Sequence, residues 1–585
     1  MKRAQELLIK HWGHHSFKDP QAAVIRNVIK KKDTFVMLPT GAGKSLCYQL
    51  PSLMMDGICL VISPLIALME DQVQSLEQKG IRGMMLSSKL NRHETIMAFD
   101  NLQFGGYKFL YLSPEKLQSE FIQEKIAQLK LCLIAIDEAH CISEWGHDFR
   151  PAYMKIPALT ALHPETPLIA LTASATPRVK QDIMEHLKLE QAQVYERSFA
   201  RPNLKIKMLR TEDVLGTLYQ LLKPLKEPAI VYVGTRKDSI EFSNYLNRQN
   251  IPATSYHGGL SNEEKNRELL NWKKETKPVM VATNAFGMGI DKANVRMIIH
   301  THLPQSPENY MQEIGRAGRD QVNSSALLLH NDGIINKSSN MLNKTMATAE
   351  FCKEVYAKLN EYFQIGQGEL SESIFDFDLQ EFSRTYKLPL VKTLTAINHL
   401  HHENVLFYNQ YPNQRSRVRV IEKSNRLYQI QQHQKTPGKV LQLLLRNYGG
   451  IHDQMIAISE GLLAQKLNLT FKEIIAALHL LDKDKVIRYK RASELVQLKF
   501  LVPREDNFVY HAISRNIESR NKTKLLKSKA MLQLVENNQV CRQIQLLSYF
   551  GEKNIQKCGL CDVCLSKNST GRINYKSMAI KIRAL

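Results

Sequence analysis

Long apolar runs are missing from this 585-residue chain, and no window approaches the roughly 18 apolar residues that a membrane-spanning helix needs. The opening stretch Met1–Trp12 is amphipathic, without the uninterrupted apolar core of a secretory signal. A cytoplasmic protein with no membrane partner is expected. Cysteine is too scarce for a disulfide scaffold, at nine residues in the whole length. Five of them, Cys47, Cys59, Cys132, Cys141 and Cys352, are scattered and read as small buried apolar residues. Blocks of like charge are lacking too, since Lys30-Lys31-Lys32 is short enough to be a solvated helix end. Yet the net charge is +22. Such an excess suits a polyanionic partner, although an unspecialised basic surface would also carry it. A chain of this length outgrows one hydrophobic core and should form roughly three or four domains.

Short apolar runs alternate with helical patterns from Thr34 to Asn203: Phe35–Leu38, Ile58–Ile62, Phe109–Leu112, Cys132–Ile136 and Leu168–Leu171. Continuous apolar strands between helices indicate an α/β fold, a parallel sheet covered on both faces. A second series follows at Ala229–Val233, Val279–Ala282 and Met297–His300. Two α/β domains are therefore expected, over 1–200 and 201–345, joined near Arg201-Pro202-Asn203. Residues 350–505 are mainly helical in pattern and hold two similar stretches, Leu379–Tyr408 and Leu462–Tyr489. Each reads as paired helices followed by a strand, the shape of a winged helix, though a plain helical hairpin has the same pattern. Gln410–Lys435 reads as a linker between them. Residues 510–568 read as a metal-binding module, in which Arg515–Cys564 is two charged helices followed by a cysteine cluster. Residues 569–585 read as a tail, with Tyr575–Leu585 a helix cut at its end.

Three segments point to ATP. Pro39-Thr40-Gly41-Ala42-Gly43-Lys44-Ser45 follows a strand and opens a helix, although Leu38 stands where the strict phosphate-loop pattern has its first glycine. Glycines let backbone N–H groups close around phosphate, Lys44 would neutralise the outer phosphates, and Ser45 would hold Mg²⁺. A merely structural glycine turn is the alternative. Leu133–Ile136 then delivers Asp137-Glu138-Ala139-His140 to a strand end. Asp137 can bind Mg²⁺ through water and Glu138 can polarise the attacking water. Gln312 begins the third segment, in which Arg316 and Arg319 sit three apart on an expected helix and so share a face. Their charge suits the γ-phosphate in the transition state. Lysine on one domain and arginine on the other place ATP between them.

Two further groups carry chemistry. Trp145 and Phe149 offer faces for base stacking and Arg150 offers charge, unless the tryptophan simply anchors a loop. Cys541, Cys558, Cys561 and Cys564 offer four thiolates, which satisfy tetrahedral Zn²⁺. An iron–sulfur cluster uses the same ligands, and a redox CxxC pair lacks its usual βαβ setting here.

The PTGxGKS and DEAH segments take the form found in superfamily 2 helicases, with RecA-like motor domains. Cys141–Pro151 is similar to the aromatic-rich loop of the RecQ family, which couples single-stranded DNA binding to hydrolysis. Val61–Val73, Leu112–Glu115, Ala170–Thr176, Tyr256–Leu260 and Ala282–Lys292 resemble further RecQ motifs in order, covering nearly all of 10–320. Cys541-Arg542-Gln543 through Tyr549–Glu552 resembles the RecQ zinc module, which implies a helical hairpin over Arg515–Val540. The resemblance implies an ATP- and Mg²⁺-dependent helicase that moves 3′ to 5′ on single-stranded DNA and unwinds tailed or branched duplexes in recombination and repair. It implies that Gly289 and Asp291 lie on the nucleotide side, and that Ser63, Pro64 and Thr283 lie along the DNA track. Gln21 would read the adenine edge, with His14 and Lys18 flanking the base. The family usually has Tyr and Arg at those two positions, so adenine specificity is expected to be looser. The zinc module is displaced toward the C-terminus, behind residues 350–505. Zinc is expected to be structural, and basal hydrolysis to survive its loss. The rival reading is an ATP-driven translocase or remodeller that does not separate strands.

Overall fold

Apolar strands stay dry only when helices cover both faces of their sheet, and the computed structural model of the chain has this arrangement twice. It describes residues 1–87, 90, 92–146, 149–287, 292–409, 416–422, 425–433, 435–491 and 496–566. They form two compact units, residues 1–341 with 520–585, and residues 342–519.

In the first unit the strands β1 (Thr34–Met37), β2 (Ile58–Ile62), β3 (Gly83–Met85), β4 (Phe109–Leu112), β5 (Leu131–Ile136), β6 (Leu168–Thr172) and β7 (Gln193–Glu196) make one sheet, in the order β3-β4-β2-β5-β6-β1-β7. A second sheet contains β8 (Leu204–Arg210), β9 (Ala229–Tyr232), β10 (Ala253–Tyr256), β11 (Val279–Ala282), β12 (Met297–His300) and β13 (Ser324–His330), in the order β10-β11-β9-β12-β13-β8. Every pairing in both is parallel. Alternate residues feed opposite faces, as the pleat requires. Phe35, Leu60 and Ile134 enter one core and Val36, Val61 and Ala135 the other. Ile230, Met280 and Ile298 are likewise divided from Val231, Val281 and Ile299.

The C-terminal part of this unit departs from expectation. Arg515–Val540 is no helical hairpin: one helix spans Asp506–Glu536 and a second follows at Arg542–Tyr549. No glycine or proline interrupts residues 506–536, so nothing stops the first helix before Asn537-Asn538. Nor does the module stand apart from the two parallel sheets. Met531, Leu534, Val535 and Leu546 enter the core of the second sheet, and Leu547 and Phe550 that of the first. Glu552 accepts hydrogen bonds from Ser198 Oγ (2.7 Å) and Phe199 N (2.8 Å), just before the joint between the two sheets. The expectation that hydrolysis is independent of zinc rested on separation, and the packing removes its basis.

The second unit holds β14 (Phe375–Phe377), β15 (Leu406–Asn409), β16 (Arg417–Val420), β17 (Ile456–Ala457), β18 (Ile487–Lys490) and β19 (Val496–Phe500), as antiparallel sheets β14-β19-β15 and β17-β16-β18. Helices Leu379–Thr385 and Leu390–His402 precede β15, while Glu460–Leu467 and Phe471–Lys483 precede β18. Both stretches therefore have the helix–helix–strand order of a winged helix, and the second is inserted into the first. The chain leaves at Asn409 and returns at its pairing partner Gln497. Each has its own core, around Phe382, Ile397 and Leu498 in one and Val418, Leu441 and Ile474 in the other. Gln410–Lys435 is accordingly not a linker, because it contains β16 and helix Asn425–His433. The alternation Arg417-Val418-Arg419-Val420 is that of a half-buried strand, with both valines inside. Residues 410–415 and 423–424, and the tail at 569–585, fall outside the described residues.

Candidate nucleotide and nucleic-acid site

Parallel sheets bind ligands beyond the carboxyl ends of their strands. There β1 delivers Pro39–Ser45, β2 Ser63-Pro64, β5 Asp137-Glu138 and β6 Ser174. Gly41 and Gly43 sit at φ +79° and +80°, the left-handed region open to residues without a Cβ, so the loop curls directly into helix Leu46–Met54. That places Lys44 and Ser45 at a helix N-terminus, which favours phosphate. Gln21 is buried beside the loop. Its Nε2 donates to the carbonyls of Ala42 (3.1 Å) and Gly43 (3.2 Å), and its Oε1 accepts from Lys18 N (2.9 Å). The Gln21 amide is thus engaged with the phosphate loop itself. His14 and Lys18 are exposed.

Asp137 is 9% exposed. Burial and the charge of Glu138 raise its pKa, against the pull of Lys44. A buried carboxylate held this way suits a divalent cation. Glu138, in a left-handed backbone conformation, has Oε2 buried without a hydrogen bond. His140 Nδ1 lies 3.3 Å from it and 3.0 Å from Thr172 Oγ1. Burial, then the charge of Lys44, lower the His140 pKa to about 3, so the imidazole is neutral. Neighbouring Ser174 Oγ accepts from Gln312 Nε2 (3.2 Å), which carries the connection into the second sheet's domain.

The two arginines do not share a helical face. Helix Pro307–Ile314 ends at Ile314, and residues 315–320 are turns. Gly315 and Gly318 flank the arginines in those turns, and glycine is a poor helix former. Arg316 is 6% exposed and packs beside Gly287 in its own domain. Arg319 instead reaches the phosphate loop: a Cβ on Gly41 would lie 3.1 Å from its Cγ. Thr40 Oγ1 donates to Gly315 O (3.0 Å) beside it. Lysine loop and arginine segment therefore meet. Gly289 and Asp291 lie outside the described residues.

Arg150 Nη1 donates to Pro64 O (2.8 Å), joining the aromatic loop to the segment after β2. Ser63 is buried, with no hydrogen bond at Oγ. Thr283, buried at the end of β11, accepts from Ala285 N (3.4 Å). Trp145 is half-buried, with Arg178 Cζ 3.0 Å from its ring centre. Arg520 pairs with Glu144 (2.7 Å) and approaches the Phe149 ring at 6.0 Å. Lys527 Nζ donates to the carbonyls of Trp145 (2.7 Å) and Gly146 (3.0 Å). His147 and Asp148 are outside the described residues. Sequence reasoning misses Arg178, Arg520 and Lys527, which lie on helices with no motif to mark them. It includes His140 in the DEAH segment but gives it no role.

The four clustered cysteines place their sulfurs within 4.8 Å of one another. Cys541 is 3.4 Å from Cys558 and 3.8 Å from Cys561, and Cys558 is 4.0 Å from Cys564. Tetrahedral zinc, with bonds of about 2.3 Å, sets sulfurs about 3.8 Å apart, so the donor set fits. Burial raises the Cys541 pKa, but N–H groups of Cys558 and Ile544 bring it down, to about 7. Beside the cluster, fully buried Arg542 pairs with Asp562 (2.8 Å) and donates to the carbonyls of Leu534 (2.6 Å) and Asn537 (3.0 Å), tying the long helix to the metal loop. The five scattered cysteines are all buried, and none is in a disulfide.

In the second unit, Arg417 pairs across the sheet with Lys490, and Arg419 with Arg488. All four are exposed, and like charges placed opposite each other cost stability. Among the described residues none of them forms an ion pair. Such a ladder suits an anionic partner.

Residues 18–183 match the DEAD/DEAH box helicase family and residues 213–321 the helicase conserved C-terminal domain. Residues 418–491 match the RecQ helicase winged-helix domain, Bacteroidota, and residues 493–565 the RecQ zinc-binding family. Among curated proteins, the chain is 41% identical over 386 residues to the probable ATP-dependent DNA helicase RecS of Bacillus subtilis, covering 65% of this chain and 77% of that protein. It is 42% and 40% identical to the ATP-dependent DNA helicases RecQ of Bacillus subtilis and Haemophilus influenzae, each over 56% of this chain. The matches span 56% and 53% of those two proteins' own length. Identity of this order over most of one relative, with both accessory modules matched to families named for RecQ, settles the affiliation: the chain belongs to the RecQ family of ATP-dependent helicases.

Proposed function

We propose that the chain hydrolyses ATP to move 3′ to 5′ along single-stranded DNA and open tailed or branched duplexes, in recombination and repair. The observation that carries this reading is the meeting of Arg319 with the Lys44-bearing loop, across two sheets that each stay intact. ATP bound there would set the separation of the motor domains, and hydrolysis would change it. Lys44 and the loop Thr40–Ser45 hold the phosphates, with Gln21, His14 and Lys18 around the base. Ser45 and buried Asp137 would hold Mg²⁺, which supplies charge neutralisation on the phosphates. Glu138 accepts the proton of the attacking water, and neutral His140, 3.3 Å away, keeps that carboxylate in place. Arg319 and Arg316 supply positive charge, and Gln312 links them to Ser174. Gly289 and Asp291 are assigned to the nucleotide side by the family pattern. Trp145, Phe149 and Arg150 bind DNA bases and backbone, with Ser63, Pro64 and Thr283 along the same track. The cation ladder is a second contact to backbone phosphate. Zn²⁺ would be held by Cys541, Cys558, Cys561 and Cys564, with all four positions filled and none left for catalysis.

Among the described residues no helix is long and apolar enough to cross a membrane, and a chromosomal substrate implies work in the cytoplasm beside the nucleoid. The relatives are named helicases, which favours strand separation over translocation alone. Strand displacement on 3′-tailed and 5′-tailed duplexes tests the proposal, together with hydrolysis by Trp145→Ala. The expected result is opening of the 3′-tailed substrate only, and a Trp145→Ala protein whose hydrolysis no longer responds to DNA. Hydrolysis with neither duplex opened would return the translocase reading.

A further inference from the structure

One ammonium group joins three parts of the first unit. Lys527 lies on the long helix Asp506–Glu536, with its side chain 14% exposed. Its Nζ donates to the Trp145 and Gly146 carbonyls of the first motor domain and lies 3.1 Å from Glu308 Oε1 of the second. The two carbonyls take hydrogen bonds from the ammonium, whereas the contact with Glu308 is an ion pair in which neither carboxylate oxygen accepts a hydrogen bond. Glu308 is itself buried, at 4% side-chain exposure, in the first turn of helix Pro307–Ile314. The far end of that short helix carries Gln312 and runs into Arg316 and Arg319. Arg520, two turns before Lys527 and on the same helix face, holds Glu144 of the same loop. The indole of Trp145 is covered by Arg178, so a base can stack on that face only if loop or arginine moves.

We propose that Lys527 is a positioning residue: it holds the aromatic loop by its Trp145 and Gly146 carbonyls and transmits displacement of that loop to helix Pro307–Ile314, and so to the arginines at the phosphates. This rests on the reading of Trp145 as a DNA contact. A tie needed only for stability could be apolar, because a buried ion pair stabilises little more than well-packed hydrophobic residues of the same volume. Charge-assisted bonds to two loop carbonyls instead last only while the loop keeps this shape, and breaking them frees the ammonium to shift against Glu308. Coupling between two binding sites is reciprocal. If DNA reaches the arginine segment through Lys527, nucleotide must alter DNA affinity through it as well.

The test compares the full-length, zinc-loaded protein with the double variant Lys527→Met, Glu308→Gln, which leaves no buried unpaired carboxylate, and with Lys527→Arg. Steady-state hydrolysis is measured with and without an oligothymidylate. Oligothymidylate affinity is measured with and without a non-hydrolysable ATP analogue. The double variant should bind the oligonucleotide yet lose at least about fivefold in stimulation ratio, with the nucleotide effect on affinity falling alongside. Lys527→Arg should restore most of both. Wild-type stimulation and nucleotide effect in the double variant overturn the proposal, provided Trp145→Ala abolishes stimulation in the same assay. Stimulation that survives Trp145→Ala removes the loop reading instead. Should the double variant lose its zinc or melt early, Glu308→Gln alone decides, since it keeps the shape and deletes the charge link. Unchanged coupling there overturns the proposal too.

Discussion

At the scale of single residues the nucleotide site separates binding from chemistry. Lys44 stands in the phosphate loop, whereas Glu138 stands at the end of β5 with one buried oxygen that accepts no hydrogen bond. Lys44→Ala removes a charge-assisted interaction and should weaken ATP binding about 10- to 100-fold. Glu138→Gln keeps the shape and loses the base, so ATP should bind as before while turnover falls by about 10²- to 10⁴-fold. Equilibrium binding and steady-state turnover on both variants check this. Normal turnover in Glu138→Gln would deny that residue its role. Both positions are legible in the sequence because each motif is local, a glycine turn or a pair of carboxylates closing an apolar run. The arginines are only half legible. Their spacing is visible, but the helix assumed for them ends at Ile314, and only Arg319 then reaches Gly41. Lys527 carries no local sign at all, since its meaning depends on Trp145, 382 residues away in the chain.

At the scale of elements the helix Arg542–Tyr549 with its capping Phe550 is a shared part, with Leu546 in one motor core and Leu547 and Phe550 in the other. Each such side chain contributes about 1.5–3 kcal/mol when fully buried. Chelating the metal should therefore lower basal hydrolysis along with the thermal midpoint, rather than affect DNA binding alone. Elemental analysis before chelation should find zinc. A metal-free protein with full basal hydrolysis would contradict the shared packing, and iron with visible absorbance would replace zinc by a cluster. Cysteine spacing reveals such a site in the sequence, but not what leans on it. Met531, Leu534 and Val535 are sparse among charges, and only the tertiary structure shows them buried. Strands divide the same way. β2 and β5 are apolar throughout and stand out, whereas β7 is almost wholly exposed and offers no pattern. Strand β16 does alternate, but four residues within a run of Gln, Asn and Arg are easily taken for a linker.

At the scale of the whole molecule the charge of +22 acquires one address in the ladder Arg417, Arg419, Arg488 and Lys490. Replacing all four with Gln should weaken duplex binding and reduce the slope of log affinity against log salt by about 3–4, near one unit for each phosphate no longer neutralised. Fluorescence anisotropy across a salt series measures both. An unchanged slope would make the ladder part of an unspecialised basic surface. The domain carrying it sits inside another, and this nesting has a consequence during synthesis. Strand β15 cannot pair with β19 when it leaves the ribosome, because Gln497 follows Asn409 by roughly 4–18 s at about 5–20 residues per second. The guest, with a core of its own, can fold within that interval. Once folded it replaces a long floppy loop by a body whose two ends belong side by side, which lowers the entropy of closing the host sheet. The nesting thus lets the nascent chain complete its inner domain first and use it as the clasp that shuts the outer one.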